Sequence, residues 1–371
     1  MRRAKWAKGM AAMTAAVMMI TAALTGCSNS KAPKTATAAA QEAEKAAGQQ
    51  ETEKAADAEK AGGGANGIEY KEQKFQLGYN TVEDSVRGEM AKTFKEYLET
   101  QSGGKITVEL FPAGTLGSEQ EMTEMVKIGT LDFTLPGCSN MSNVDPSFSS
   151  VSLPFLVKDF EEAHKLQDGE LGEALKELAQ SYGYKILGWG DLGMAQITNN
   201  KKAINSVSDM AGLKMRSPNE EASIKTFESL GCSVSTLAFS ELYLGMSQGV
   251  VDGQFNPIDA IYQQKFYEVQ DYLALCNIFY YGINFVMGDS KFASLDEDTQ
   301  KLILEAAAEA QVVSREYAKD ADTRYLDMIK EEGGFKEITT PDTAEFAEAV
   351  KPVYDIFAGK ADEKVLKAIG R

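Results

Sequence analysis

The apolar positions of the chain alternate between a strand-like and a helix-like period from Phe75 onward. Three short runs rich in apolar and β-branched residues predict strands at Phe75–Asn80, Lys105–Phe111 and Leu131–Leu135. Apolar residues at steps of three and four predict helices over Glu83–Gln101 and Ser118–Ile128, the second opened by a capping box of Ser118 and Glu121. This βαβαβ order is typical of a parallel sheet covered by helices.

A second group of short apolar runs follows further along the chain. These runs predict strands near Lys185–Trp189, Ala195–Thr198, Leu213–Arg216, Ser233–Leu237 and Val251–Phe255. Helical patterns near Glu220–Leu230 and Ser240–Gln248 separate the later strands. A further apolar run, Ile278–Met287, is long enough to connect two sheets. The folded part therefore has enough elements and length for two lobes of ordinary size.

The segment Leu295–Glu332 contains neither glycine nor proline and predicts one long helix. Ser294 opens it with Glu297 three residues on, as in a capping box, and Gly333 follows its end. At about 1.5 Å per residue, such a helix is roughly 57 Å long, which is more than one lobe requires. A coiled coil is the alternative, but too few heptads carry large apolar residues at both core positions. We expect this helix to lie across two lobes.

The first 67 residues differ from the rest in composition. Basic residues precede an apolar run from Met10 to Leu24, which has the length of a signal-peptide core and is shorter than the about 20 residues of a spanning helix. Small residues then precede Cys27, as in the lipobox of bacterial lipoproteins. We expect residues 1–26 to be a signal peptide and Cys27 to be lipidated, with an ordinary secretory signal as the alternative. Residues 27–67 then form a flexible tether, because Ser28 to Gly67 include no aromatic residue, Ile, Leu or Val.

Charge and residue types exclude several function classes. The formal net charge of −17 argues against a nucleic-acid partner. The single histidine, His164, lies on an acidic amphipathic helix, and no hydrolase, P-loop, dinucleotide or metalloprotease motif occurs. Cys138, Cys232 and Cys276 match no zinc or redox spacing, so buried free thiols are expected, with one disulfide as the alternative. We expect no catalysis, no cofactor and no metal.

Several short stretches carry a resemblance to a known family. In chain order they are Phe111–Gly117, Leu153–Phe155, Gly212–Arg216, Phe239–Tyr243, Gly249–Pro257 and Lys265–Gln270. With these stretches the chain resembles the extracytoplasmic solute receptors of tripartite ATP-independent periplasmic (TRAP) transporters, the DctP-type family. The resemblance covers most of the folded part, and Val251–Pro257 followed by Lys265–Gln270 is its most specific portion.

The resemblance implies a fold, a location and partners. The implied fold is an α/β, two-lobed periplasmic-binding-protein fold with an interlobe cleft and one long helix spanning both lobes. We expect lobe I to comprise residues 68–192 and 282–318, and lobe II residues 193–281 and 319–371. The implied partners are a small organic acid and the TRAP membrane permease subunits, with the membrane contacted through the lipid on Cys27.

The resemblance also implies a set of ligand-binding residues. Arg216 pairs with the ligand carboxylate, for which a guanidinium offers two parallel donors. The Asn256 amide reaches the same carboxylate, Phe239 lines the pocket, and Asn80 is a polar contact at the end of the first strand. Further candidates are Asp191 and Glu119, which the resemblance places in cleft-facing loops, and Phe255. Tyr280 and Tyr281 begin a crossover strand and face either the cleft or the core.

Two departures from the family pattern bear on the ligand. Ala195 stands where many relatives carry a second arginine, and Phe255 stands where a carboxylate is common. Both changes predict a less charged, more apolar cleft and therefore a monocarboxylate with an apolar or aromatic body. A dicarboxylate or sugar acid in the same fold, a sensor that presents ligand to a receptor, a secreted hydrolase, and a cation that assists binding are the alternatives.

Overall fold

The computed structural model describes residues 67–371. The predicted signal peptide, Cys27 and nearly all of the predicted tether lie outside the described residues. The strands are β1 (Gln73–Gly78), β2 (Ile106–Phe111), β3 (Phe133–Thr134), β4 (Tyr184–Asn199), β5 (Lys214–Ser217), β6 (Ser233–Thr236), β7 (Gly253–Asn256), β8 (Tyr272–Gly288) and β9 (Glu337–Thr339). The α-helices are α1 (Val86–Gln101), α2 (Glu119–Ile128), α3 (Cys138–Met141), α4 (Phe160–Gln167), α5 (Glu170–Ser181), α6 (Glu221–Ser229), α7 (Leu242–Ser247), α8 (Ile258–Gln263), α9 (Asp289–Ala293), α10 (Glu297–Glu332), α11 (Ala344–Ala349), α12 (Lys351–Ala358) and α13 (Glu363–Ala368).

The strands form one mixed sheet in the order β2-β1-β3-β8-β4-β7-β5-β6, with β9 paired to β8. β1 is parallel to β2 and β3, which confirms the predicted parallel βαβαβ unit. β5 is parallel to β6 and β7. The two-lobed α/β fold is confirmed, and these two parallel groups fall in the residue ranges predicted for lobe I and lobe II.

Two long antiparallel strands, β4 and β8, join the lobes. In lobe I, Phe133 of β3 pairs with Met287 of β8, and in lobe II Gln196 of β4 pairs with Asn256 of β7. The sequence predicted separate strands at Lys185–Trp189 and Ala195–Thr198, but both are parts of the single strand β4. It also predicted that Ile278–Met287 connects two sheets, but this run is part of β8 within one sheet, so both predictions were wrong. The β4–β8 pairing has register shifts at three points, two of them beside Gly188 and Gly193 and the third at Gln196, and β4 continues through all three.

The long helix α10 has 36 residues and lies against both lobes. Leu302 to Ala318 contribute to the core of lobe I, whereas Ala321, Tyr325 and Ile329 pack in a cluster with lobe II residues. The helix begins later than predicted, because Asp296 rather than Ser294 caps it by accepting the backbone N–H of Thr299. The predicted end is confirmed, with Gly333 in the left-handed conformation.

An aromatic cluster fixes the sheet of lobe I against α1. Phe94 of the helix meets Phe133 and Phe285 edge-to-face, with ring centroids 5.0 and 4.6 Å apart. Cys138, Cys232 and Cys276 are buried and form no disulfide, which confirms the predicted free thiols. Within residues 67–371, no helix is both long and apolar enough to cross a membrane.

Candidate functional site

A cavity of about 280 Å³ lies between the two lobes. Its walls include the carboxyl ends of β5 and β7, a position where α/β sheets commonly bind ligands. The volume is at the small end for ligand pockets, which are roughly 300–1,000 Å³, so the cavity suits a small molecule. Six of the seven predicted ligand-binding residues line it, namely Asn80, Glu119, Arg216, Phe239, Phe255 and Asn256.

Arg216 is a buried cation without a counter-ion. It lies in β5 with only 4% of its surface exposed. Nε and Nη2 donate to the backbone oxygen of Leu237 at 3.0 and 2.8 Å, and no carboxylate of the described residues forms an ion pair with it. Burial lowers the pKa of the guanidinium to about 10. Arginine has five N–H donors, so donors remain for an anion that enters the cavity.

Asn256 is held at the end of β7 by a chain of side-chain hydrogen bonds. Its Nδ2 donates to Oε1 of Gln254, and Nε2 of Gln254 donates to Thr198 Oγ1 at 2.9 Å. Thr198 in turn donates to Gln270 at 3.1 Å. Pro257 follows and precedes the first turn of α8, so the amide sits where the strand ends. Asn256 Nδ2 retains a second hydrogen that can serve a ligand.

Glu119 binds three groups of lobe I at once. It is the first residue of α2 rather than part of a loop, and 14% of its side chain is exposed, so the predicted loop placement was wrong. Oε1 accepts Arg87 Nη2 at 2.9 Å and the backbone N–H of Gly137, while Oε2 accepts Asn80 Nδ2 at 2.8 Å. The carboxylate therefore neutralises Arg87 inside the cavity wall.

Arg87 was missed in the sequence although the pattern contained a signal for it. Arg87 lies on the same face of α1 as Met90, Ala91 and Phe94, which are buried at steps of three and four. A charged residue within an otherwise apolar stripe is costly to bury unless it is paired. Its partner, Glu119, is distant in sequence, so the pair itself could not be inferred.

One wall of the cavity is aromatic. The Phe255 ring stacks on Tyr281, with centroids 5.9 Å apart, and on Phe227 at 4.8 Å. Ala195 does not line the cavity but is buried in the same hydrophobic cluster as Phe255. Tyr280 also lies away from the cavity, whereas Tyr281 lines it. The two departures from the family pattern thus replace polar groups by packed apolar side chains.

Asp191 does not belong to this cavity, contrary to the prediction. It lies in β4, fully buried, rather than in a cleft-facing loop. Its carboxylate accepts the Tyr280 hydroxyl at 2.5 Å and lies 2.7 Å from His164 Nε2. The backbone N–H of Asp191 also donates to Ser314 Oγ on α10. Asp191 therefore ties β4 to β8, α4 and α10 as a structural residue.

Two further buried acids lie at or beside the cavity. Asp259 of α8 lines it, and Asp259 Oδ2 is 3.5 Å from the backbone nitrogen of Val86. Glu220 accepts the hydroxyls of Ser149 and Tyr281, the second of which lines the cavity. Burial raises the pKa of each carboxyl to about 7. No feature of the sequence alone distinguished these two acids from the many acidic surface residues.

Comparisons with known proteins agree with this architecture. Residues 77–360 match the model of bacterial extracellular solute-binding protein, family 7. The 2,3-diketo-L-gulonate-binding periplasmic protein YiaO of Escherichia coli K12 is 30% identical over 300 residues, which cover 80% of this chain and 91% of that protein. The sugar acid binding protein DctPAm of Advenella mimigardefordensis, solved with galactonate, superposes with a TM-score of 0.78 at 27% identity and covers 81% of this chain and 97% of its own. A TRAP periplasmic solute-binding protein of Polaromonas sp. JS666 bound to D-erythronate superposes with a TM-score of 0.77 at 31% identity. This match covers 81% of the present chain and 99% of the Polaromonas chain.

Proposed function

The chain belongs to bacterial extracellular solute-binding protein family 7, and on that premise we propose that it captures an acid with a single carboxylate for a TRAP permease. The family consists of solute-binding transport proteins rather than enzymes. The observation that carries the proposal is Arg216, a buried guanidinium that no carboxylate of residues 67–371 neutralises. A ligand carboxylate would supply the missing charge and accept the free N–H groups.

The charge balance of the cavity favours one carboxylate over two. Its cationic side chains are Arg87 and Arg216, and Arg87 is already paired with Glu119. A second ligand carboxylate would therefore meet the acidic residues that line the cavity, Glu119, Glu241 and Asp259, without a free cation. Two like charges 4 Å apart repel by about 4 kcal/mol at an effective dielectric constant of 20. This repulsion disfavours dicarboxylates.

The aromatic wall supports an apolar or aromatic ligand body. Phe255, Tyr281 and Phe239 line the cavity and offer ring faces against which a hydrocarbon or aromatic group packs. Two of the solved relatives hold galactonate and D-erythronate, each with one carboxylate, and a monocarboxylate agrees with their chemistry. Two others hold succinate, so a dicarboxylate stays the alternative within the family. The same comparison keeps hydroxylated sugar acids as the alternative within the monocarboxylate class.

Calorimetric titration of the purified chain tests this proposal. The panel contains monocarboxylates with aliphatic and aromatic bodies, succinate as a dicarboxylate, and galactonate as a sugar acid. We expect saturable binding of at least one apolar monocarboxylate and no detectable binding of succinate. Tight succinate binding without any response to monocarboxylates contradicts the proposal, and galactonate as the tightest ligand contradicts the apolar body.

The long strands and helix that join the lobes support a hinge mechanism. We propose that an open cleft admits the acid, that Arg216 and Asn256 engage its carboxylate, and that the lobes then close, with boundaries at residues 192/193, 281/282 and 318/319. Domain closure around a ligand by hinge bending is a common response of two-lobed proteins. Small-angle X-ray scattering with and without the tightest acid of the panel should show a smaller radius of gyration in the bound state.

A lipid on Cys27 would hold this receptor near its permease. The support is the sequence alone, with a basic segment, an apolar run and small residues before Cys27. Labelled palmitate should enter the wild-type chain in a bacterial host and not the Cys27→Ser variant. Equal labelling of both chains, or none in either, contradicts the anchor.

A further inference from the structure

The cavity contains hydrogen-bond acceptors that the protein leaves without donors. Asp259 is only 4% exposed, and its Oδ1 has no hydrogen-bond partner among the described residues. Its other oxygen makes only the long contact of 3.5 Å to the backbone nitrogen of Val86. An unpaired buried acceptor costs about 1–3 kcal/mol, and more if it is charged. Asp259 therefore places a carboxyl oxygen without a hydrogen-bond partner on the cavity wall.

Asn80 presents a second acceptor of the same kind. Its Nδ2 donates to Oε2 of Glu119 at 2.8 Å, and an ionised carboxylate can only accept. This contact fixes the orientation of the amide and leaves Oδ1 as the remaining polar atom. Asn80 Oδ1 is buried and unpartnered within residues 67–371. The cavity thus has acceptors on both lobes, Asn80 on lobe I and Asp259 on lobe II.

The cationic side chains of the cavity do not satisfy these acceptors. Arg87 donates to Leu135 and Glu119, and the hydrogen bonds of Arg216 go to Leu237. A ligand in the cavity is a source of the donors that these two oxygens lack. A carboxylate has no donor to give, so the group that fills this need is a different part of the ligand.

We propose that the ligand carries a hydroxyl or ammonium donor beside its carboxylate, and that Asp259, together with Asn80, is the specificity-determining site that receives it. The inference rests on the proposed function, since it assumes an acid held by Arg216. In such a ligand the carboxylate would contact the guanidinium, the apolar body would lie against the aromatic wall, and the donor group would reach the unpaired acceptors. A site built to hydrogen-bond a ligand group rejects the analogue that lacks it, because its buried polar atoms then stay unpaired.

A series of acids with one carbon chain tests the inference. Pentanoate is compared by calorimetry with its hydroxyl and amino derivatives substituted at positions 2, 3, 4 and 5, using the purified chain. We expect at least one derivative to bind tenfold or more tightly than pentanoate. The position of the preferred substituent gives the distance between the carboxylate and the donor, and the comparison of hydroxyl with amino derivatives identifies the donor.

Variants of Asp259 locate the effect. Asp259→Ala should reduce the advantage of the preferred derivative over pentanoate, with both acids measured on the same variant, to less than threefold. Asp259→Asn keeps an acceptor oxygen without the charge, so it should preserve a hydroxyl preference and remove an ammonium preference. The matched control is Asp132→Asn, because the Asp132 side chain is only 15% exposed, accepts the backbone N–H of Gln76 and does not line the cavity. Its binding profile should equal that of the wild type.

Two outcomes overturn the inference. One is a wild-type protein that binds no derivative more tightly than pentanoate, and the other is an advantage that survives in Asp259→Ala. Circular dichroism of each variant establishes that it is folded. Failure of the proposed function has a different signature: no acid of the series binds, or Arg216→Met binds all of them as the wild type does.

Discussion

Replacing Arg216 by methionine should raise the stability of the ligand-free protein. Burial lowers the pKa of this guanidinium to about 10, so the folded protein holds the charge less favourably than the unfolded chain does. At about 1.4 kcal/mol per pH unit, the penalty at neutral pH is roughly 3 kcal/mol. Methionine removes the charge and keeps most of the apolar volume. It also loses the two hydrogen bonds to Leu237, each worth about 1 kcal/mol, so we expect a net gain of about 1 kcal/mol.

The same substitution should abolish most of the affinity for an acid. A ligand carboxylate would lose hydrogen bonds from a charged donor, each worth about 1.5–3 kcal/mol. Two such bonds correspond to at least about 3 kcal/mol, or about a hundredfold in Kd. Arg216→Lys is the matched control, since lysine keeps the charge but not the forked geometry. Its affinity for the acid should lie between those of the wild type and Arg216→Met.

Two measurements on the same preparations check these opposite effects. Urea unfolding without ligand gives the free energy of unfolding, and calorimetry with the tightest acid of the panel gives Kd. The reasoning fails if Arg216→Met binds the acid within threefold of the wild type. It also fails if the ligand-free variant is clearly less stable than the wild type, because the arginine would then not be an uncompensated charge.

Three further substitutions test other contacts. Glu119→Gln should free Arg87 for a second carboxylate, so calorimetry should detect succinate binding that the wild type lacks, and no detectable succinate binding by the variant contradicts the charge-balance argument. Asp191→Ala should lower the free energy of unfolding by about 1–3 kcal/mol, because it removes the buried acceptor 2.5 Å from the Tyr280 hydroxyl and leaves that hydroxyl only Gln167 Oε1 at 3.1 Å, while affinity at low temperature stays within threefold. Burial raises the pKa of Glu220 to about 7 in the folded protein, against an ordinary 4.5. Between these two pH values the folded protein keeps a proton that the unfolded chain loses, so the free energy of unfolding should fall as pH rises from about 4.5 to 7. Glu220→Gln should flatten that slope in urea unfolding, and an equal slope in both proteins contradicts the assignment.

Local elements could be predicted from the sequence because their causes are local. The capping box of Ser118 and Glu121, the parallel strands β1–β3 and the end of α10 at Gly333 each depend on residues a few positions apart. The continuity of β4 could not be predicted in this way. It depends on pairing with β8, a strand about 90 residues later, which keeps the backbone extended through glycines.

In the site, too, the residues that sequence motifs identify differ from the roles that depend on tertiary contacts. Arg216 and Asn256 were found through a resemblance, and the structure places both on one cavity wall. Their energetic role could not be inferred from motifs, because it depends on which charges are paired. Arg87 is neutralised by Glu119 from another helix, and Asp259 is left without a donor. Pairing of this kind is a property of tertiary contacts, which a single sequence does not record.

The change in the role of Asp191 bears on how the lobes move. A register shift in the β4–β8 pair lies between Asp191 and Gly193, and Gly193 has a φ of +124°, a conformation that side chains other than glycine rarely adopt. Asp191 fixes one side of this shift through Tyr280 and His164. Asp191 lies in the range predicted for lobe I and Tyr280 in the range predicted for lobe II, so this hydrogen bond crosses the predicted boundary beside the register shift. A movement of one lobe against the other at residues 192/193 would therefore act directly on the contact that Asp191 makes.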